Sequence, residues 1–258
     1  MKSISDDHKT YRTRPLRVSH FRKIFPSLSF YPGFFSIVIK FSLVSKRGNF
    51  TNDGWWASSI EVLRALESVG VTMEISGLDN IRSVDGPVVF IGNHLSMLET
   101  VVLPSILLPY KPITYVVKQS LLDYPVFKHV MRASNPVAVS RTNPRHDLKI
   151  VLEQGQQRLA SGTSMIIFPQ TTRTTFDPKQ FSSIGIKLAR KAAVPVIPLA
   201  LLTDAWENGK KIKDLGRIVP LRKAYFSFGE KLVISGKGTT EHQGVIDFIE
   251  DHLNRWTR

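Results

Sequence analysis

The chain contains no cysteine. That absence excludes disulfides, thiolate metal sites and thiol nucleophiles, and it is compatible with a reducing compartment. Acidic residues are also short: 21 Asp and Glu face 35 Lys and Arg, a formal charge of +14. An excess of that size draws polyanions such as nucleic acid, anionic lipid or phosphorylated substrates. Zinc-finger spacing, a helix-turn-helix pattern and aromatic RNA-binding signatures are all missing, so no nucleic-acid partner is expected. No Gly-x-Ser-x-Gly surrounds Ser96 or Ser164, which argues against a serine hydrolase. The stretch Ser235 to Thr239 lacks the glycine a phosphate loop needs five residues ahead of Gly236, where Lys231 stands. Residues 1 to 27 do not read as a secretory signal, and no internal repeat is found. The adjacent His146 and Asp147 are too little for a metal site, and none is expected.

What is present suffices for one sizeable α/β domain: 258 residues, 42% of them hydrophobic. Residues 1 to 27 are polar and basic, with Arg14-Pro15 and Phe25-Pro26 interrupting any helix. Leu28 to Val44 is rich in Phe and Ile, includes Pro32 and Lys40, and falls short of the roughly 20 clean apolar residues of a spanning helix. Two readings are open: a helix packed on the domain's own core, or an element dipping into one membrane leaflet. Lys23 on one side and Lys46 and Arg47 on the other favour the membrane interface.

From there helical spacing over Ser58 to Val69 is followed by a strand at Val71 to Ile75. Strands are expected at Val88 to Ile91, Ile113 to Val117, Pro136 to Val139, Ser164 to Phe168 and Val194 to Leu201. Helices are expected between them, at Leu121 to Met131, Asp147 to Leu159 and Phe181 to Ala192. A strand pair, Tyr225 to Phe228 with Leu232 to Ile234, and a helix over Glu241 to Trp256 close the chain. This alternation predicts an α/β fold: a mostly parallel mixed sheet flanked by helices, after an N-terminal membrane-interface helical segment. The division drawn is residues 1–57 for the basic N-terminal segment and 58–258 for the α/β domain.

The chemistry centres on Asn93 to Glu99, between the apolar run Val88 to Ile91 and the helix starting near Val101. His94 can take a proton near neutral pH, and a carboxylate on its other nitrogen fixes the tautomer and stabilises the imidazolium. Glu99 is that carboxylate in one reading. In the other, Ser96-x-x-Glu99 is a helix capping box and His94 a loop residue. Two more loops leave the carboxyl ends of predicted strands, Ser140 to Arg145 and Pro169 to Arg173, and ligands of open α/β sheets bind along that edge. Arg141 and Arg173 carry planar forks suited to phosphate, with Thr171 and Thr172 as neutral donors.

These residues fall into four ordered blocks, and in them the chain resembles the glycerolipid acyltransferases typified by 1-acylglycerol-3-phosphate acyltransferases. His94 and Glu99 match the first block, His-x4-Asp, with Glu in place of Asp. Val137 to Arg141 resembles the second, without its preceding Gly and central Phe. Phe168-Pro169-Gln170-Thr171-Thr172-Arg173 resembles the third, Phe-Pro-Glu-Gly-Thr-Arg, with Glu and Gly replaced. Val194 to Pro198 matches the fourth, and Lys118 with Leu121 and Pro125 resembles the segment between the first two. The resemblance implies transfer of a fatty acyl group to a lysophospholipid hydroxyl in phospholipid biosynthesis. It implies His94 as general base, Glu99 as its orienting partner, and Lys118, Arg141, Gln170, Thr171, Thr172 and Arg173 as substrate-binding residues. No cofactor is implied beyond acyl-CoA or acyl carrier protein as co-substrate. The partners implied are an anionic membrane surface and the lysolipid, and the place the cytoplasmic face of a membrane. Two alternatives remain: an acyltransferase for another amphiphilic alcohol such as a lyso-ornithine-type lipid, or a non-catalytic, basic, membrane-binding relative.

Overall fold

Val89 and Ile91 turn to one side of their strand, Val88 and Phe90 to the other, and each side meets its own hydrophobic core. A strand with no polar face belongs in the middle of a sheet covered on both sides. The computed structural model describes residues 1–5, 7, 9–125, 127–170 and 172–257. The chain opens with strand β1 (Thr10–Arg12) and helices α1 (His20–Ile24), α2 (Pro26–Lys46) and α3 (Asn52–Ser68). Then follow β2 (Met73–Ser76), α4 (Leu78–Arg82), β3 (Val89–Gly92), α5 (Met97–Leu107) and β4 (Ile113–Lys118). The remainder runs α6 (Lys128–Ala133), β5 (Val137–Val139), α7 (Pro144–Ala160), β6 (Ser164–Ile167), α8 (Ile184–Ala192), β7 (Val196–Leu202), β8 (Ala224–Phe228) and α9 (Thr239–Trp256).

The eight strands lie in the order β1-β2-β8-β7-β3-β6-β4-β5. Every neighbouring pair from β7 to β5 is parallel, as is β2 with β8, while β1–β2 and β7–β8 are antiparallel. The sheet is therefore mixed and mostly parallel, as expected. Helices α2, α3, α5 and α6 cover one face and α7, α8 and α9 the other. The order sets β3, β6, β4 and β5 side by side, so the loops leaving their carboxyl ends share one edge. At the end of β3 only a glycine fits: a Cβ on Gly92 would stand 2.7 Å from the Leu199 carbonyl.

The N-terminal residues differ from the sequence reading. Thr10–Arg12 is an edge strand on β2, too short to register as one, and its single buried side chain is Tyr11. The Tyr11 hydroxyl and Thr13 Oγ1, the latter at 2.7 Å, donate to Glu67, a buried carboxylate that Arg64 also reaches at 2.7 Å. The interruption expected at Phe25-Pro26 is present, since α1 stops at Ile24, and Pro26 then starts a new helix because the first helical position has no partner for an N–H in any case. The resulting α2 has 21 residues and, among the described residues, is the one helix long and apolar enough to cross a membrane. Phe30, Phe34, Val38 and Phe41 nevertheless turn into the core, where Trp206 meets the rings of Phe30 and Phe34 at 4.9 and 5.1 Å. Helix α3 runs unbroken across residues 57 and 58, where the sequence reading divides the chain.

Two more elements depart from expectation. The helix expected over Leu121 to Met131 is a 3-10 turn at Gln119–Asp123 and the short α6, since Pro125 cannot continue the turn. Leu232 bridges Val196 and does not pair with β8, because β7 and β2 already occupy both edges of β8.

Candidate active site

The loop after β3 holds its imidazole by several independent constraints. Glu99 is wholly buried, and its Oε1 accepts from Leu95 N at 2.7 Å, Ser96 N at 2.8 Å and His94 Nδ1 at 2.9 Å. Its Oε2 accepts from the Thr203 hydroxyl and lies 2.9 Å from Ser96 Oγ, which in turn accepts from Leu98 N at 3.1 Å. The capping box and the His–Glu pair therefore coexist, one carboxylate serving both. Burial pushes the Glu99 carboxyl up, but the bond and charge of His94, the Thr203 hydroxyl and the Ser96 amide pull it below the ordinary glutamate range. The imidazole stacks on Phe168, ring centres 4.5 Å apart and 3° from parallel. With Nδ1 committed to Glu99, Nε2 is the nitrogen left to take a proton.

The amides of His94, Leu95, Ser96 and Leu98 all bond inward, so this helix mouth does not present them to an oxyanion. Gln170 supplies the partner of His94 N: its Oε1 accepts at 3.0 Å while Nε2 donates to Thr174 and Thr175 carbonyls at 3.4 and 3.3 Å. It is buried behind the loop and does not line the cleft. Thr171 lies outside the described residues.

His94 opens on a cleft of about 220 Å³, whose polar wall brings together Lys118, Arg141, Thr172 and Arg173. Arg141 sits at φ 63°, a left-handed conformation that costs a non-glycine residue about 1 kcal/mol. Asp147 holds it there, accepting from Arg141 N at 2.7 Å and Ser140 N at 2.9 Å. Desolvation raises the Asp147 carboxyl, but those amides and the Ser140 hydroxyl bring it below the ordinary range. Two residues the sequence reading passed over complete the wall. Lys213 Nζ donates to Thr172 Oγ1 at 2.5 Å and to the Arg173 carbonyl at 3.0 Å, and Asp214 Oδ1 accepts from Arg173 Nη2 at 2.5 Å. The signal was there: both follow a strand in the same parallel set as β3, so their segment opens on the same edge.

Behind His94 the cleft turns apolar. It shares the wall residues Met97, Thr100, Tyr115, Phe127 and Met131 with an apolar channel of about 90 Å³ between α2, α3 and α5, lined also by Phe34, Val38, Trp55 and Val101. Tyr115 Oη donates to the Thr100 carbonyl at 3.1 Å, and burial, then the Glu99 charge, push the phenol well above its usual value, so it is neutral.

A parallel sheet with a His–carboxylate pair at the mouth of a half-cationic, half-apolar cleft defines the class: an α/β protein shaped for an amphiphile. The family model described as Acyltransferase matches residues 72–202, half of the chain, and the chain belongs to that family. It is 32% identical over 155 residues to the 1-acyl-sn-glycerol-3-phosphate acyltransferase of Pseudomonas aeruginosa, covering 60% of this chain and 58% of that protein. It is 30% identical over 131 residues to the chloroplastic 1-acyl-sn-glycerol-3-phosphate acyltransferase BAT2 of Brassica napus, covering 50% of this chain and 37% of that one. The match thus spans under two thirds of either relative's length. The crystal structure of PlsC, the 1-acyl-sn-glycerophosphate acyltransferase of Thermotoga maritima, has the same fold. It superposes with a TM-score of 0.64 at 19% identity, over 91% of this chain and 96% of that one.

Proposed function

We propose that this chain is an O-acyltransferase that moves a fatty acyl group from acyl-CoA or acyl carrier protein to the hydroxyl of a lysophospholipid of the 1-acylglycerol-3-phosphate type. The observation that carries this reading is the 2.9 Å bond from His94 Nδ1 to a buried Glu99, at the junction of a cationic wall and an apolar channel. The acceptor hydroxyl gives its proton to His94 Nε2 as its oxygen attacks the thioester carbonyl. Collapse of the tetrahedral adduct forms the ester and releases the thiolate, which takes the proton back from His94. Glu99 stabilises the imidazolium between the two transfers. General-base help of this kind contributes roughly 10²–10⁴-fold, and positioning supplies much of the rest. Arg141 and Arg173 hold the headgroup phosphate, Lys118 and Thr172 assist, and the channel takes an acyl chain.

Gln170 supports this acceptor. It stands where the family carries Glu, yet it binds loop backbone with both ends of its amide, and two of those partners are carbonyls that need a donor. The replacement therefore alters the support of His94 and leaves the cationic wall intact.

The same reading seats the protein on a membrane. Phe35, Ile39 and Leu43 of α2 and Phe21 and Ile24 of α1 are exposed, with Lys23, Lys46 and Arg47 beside them. Apolar side chains flanked by cations suit an anionic interface, and a thioester made in the cytoplasm sets the site on that face. The test is single-turnover transfer by the full chain on anionic vesicles, with acyl-CoA and acyl carrier protein as donors and lysolipids bearing phosphomonoester, phosphodiester or ornithine headgroups. Transfer to the phosphomonoester, abolished in His94→Ala, is expected. Transfer to none of them, or a rate that His94→Ala leaves intact, contradicts the reading.

A further inference from the structure

The segment between β7 and β8 lies beyond residues 72–202 and outside all four blocks, yet it reaches into the cleft. Two hydrogen bonds tie it to α2: Tyr31 Oη donates to the Gly216 carbonyl at 2.5 Å, and Ile218 N donates to Ser27 Oγ at 2.9 Å. In this segment exposed Ile212 and Leu215 flank Lys213 and Asp214, which line the cleft.

We propose that Lys213 is a ligand of the acceptor's phosphate, beside Arg141, Arg173 and Lys118, and that it makes the site select a phosphate monoester over a diester. This deepens the acceptor reading above and rests on it. Three observations support it. The Arg173 side chain is only 14% exposed, and its Nη1 is buried without a hydrogen-bond partner among the described residues, while Nη2 is held by Asp214. A buried guanidinium with one arm clamped and one arm unmet fits a site built for an anion. Lys213 bridges Thr172 Oγ1 and the Arg173 carbonyl, so its ammonium stands at that same loop and can turn a third N–H to a ligand. Burial, then the charges of Arg173 and Arg141, lower the Lys213 ammonium from its ordinary value, with Asp214 opposing.

Four cations line this part of the cleft, Lys118, Arg141, Arg173 and Lys213, with the carboxylates Asp214 and Asp147 beside two of them, which leaves two net positive charges. A phosphate monoester at pH 7 carries about −1.5 to −2. A diester carries half of that, and without Lys213 the cluster would match the diester better. Asp214 thus aids binding despite its charge, because it fixes the Arg173 fork and offsets the like charges gathered there before the headgroup arrives.

The experiment uses the full chain on vesicles, with Lys213→Gln, Lys213→Met and Lys213→Arg beside wild type. Acceptor and donor KM and kcat are measured for phosphomonoester and phosphodiester lysolipids, and inorganic phosphate binding is measured by calorimetry. Lys213→Gln and Lys213→Met should raise the monoester KM roughly tenfold or more. The donor KM and kcat should hold, the preference for monoester over diester should shrink, and Lys213→Arg should recover much of the loss. Phosphate binding should weaken in the same order. If both neutral variants keep the wild-type acceptor KM and phosphate affinity, or lose kcat alone, Lys213 is not a phosphate ligand. If wild type acylates no phosphomonoester, the acceptor reading fails separately, and the phosphate titrations still decide Lys213.

Discussion

At the scale of residues, the molecule turns on how much one carboxylate does. Glu99 caps a helix, receives a buried hydroxyl and orients an imidazole, all with no exposure to water. Removing it should therefore be costly: Glu99→Ala strands two backbone N–H groups and a hydroxyl, and thermal unfolding should show a loss of roughly 3–5 kcal/mol. Asp147 does comparable work for Arg141 from the far side of the cleft. Asp147→Ala should leave folding only about 1 kcal/mol weaker, while the acceptor KM rises because Arg141 loses its left-handed turn. Both carboxyls titrate below their ordinary values in the folded chain. The stability they contribute is thus fully present above the ordinary values of 4.5 and 3.8 and is lost as pH falls through the lower native ones. His242 and His252, held below the ordinary 6.5 chiefly by burial, start a gentler decline at higher pH; the melting temperature should fall further through the carboxylate range, and Asp147→Asn should make that lower part of the fall shallower.

At the scale of elements, α2 does two jobs on opposite faces. Its inner aromatics pack on Trp206, so Phe34→Ala should cost about 3–5 kcal/mol of stability, measured by denaturant unfolding. Its outer residues Ile39 and Leu43 are about half exposed, and Phe35 meets only the rings of Tyr31 and Phe34 on its own helix. Replacing Phe35, Ile39 and Leu43 by Ser should leave the unfolding midpoint nearly unchanged and release the protein from anionic vesicles in a flotation assay. Retention on vesicles would instead locate the membrane contact elsewhere.

The parallel strands and the helices between them were legible in the sequence because continuous apolar runs and helical spacing are strong signals. The order of loops at their carboxyl ends was enough to place His94, Arg141 and Arg173 on one edge. Elements set by a few tertiary contacts were not legible. Strand β1 exists because Tyr11 and Thr13 find Glu67, more than fifty positions away, and no local pattern announces that. Gln170 reads as a headgroup ligand from its place in the motif, and only its bonds to His94 N and to two carbonyls reveal a support. Lys213 was hidden in a run of lysines that looks like a solvated face.

At the scale of the whole molecule, a charge of +14 and an exposed apolar flank act together. Binding to anionic vesicles should weaken steeply between about 0.05 and 0.5 M salt as the charges are screened, and a residual part carried by the apolar flank should persist. The cleft and the apolar channel share walls at Met97, Thr100, Tyr115, Phe127 and Met131, and Phe34 and Val38 of α2 line the channel. Under the proposed function, a lysolipid presents its hydroxyl at the membrane surface without leaving it entirely.

The central claim is that the Glu99 charge, and not its cap alone, drives acyl transfer by His94. The direct measurement is single-turnover acyl transfer by Glu99→Gln, with melting temperature and circular dichroism measured on the same sample. A glutamine accepts from the same amides and can donate to the hydroxyls of Thr203 and Ser96, so the fold should survive. The rate should fall by roughly 10²–10⁴-fold, towards that of His94→Ala. A folded Glu99→Gln protein that transfers acyl groups at the wild-type rate would contradict the account.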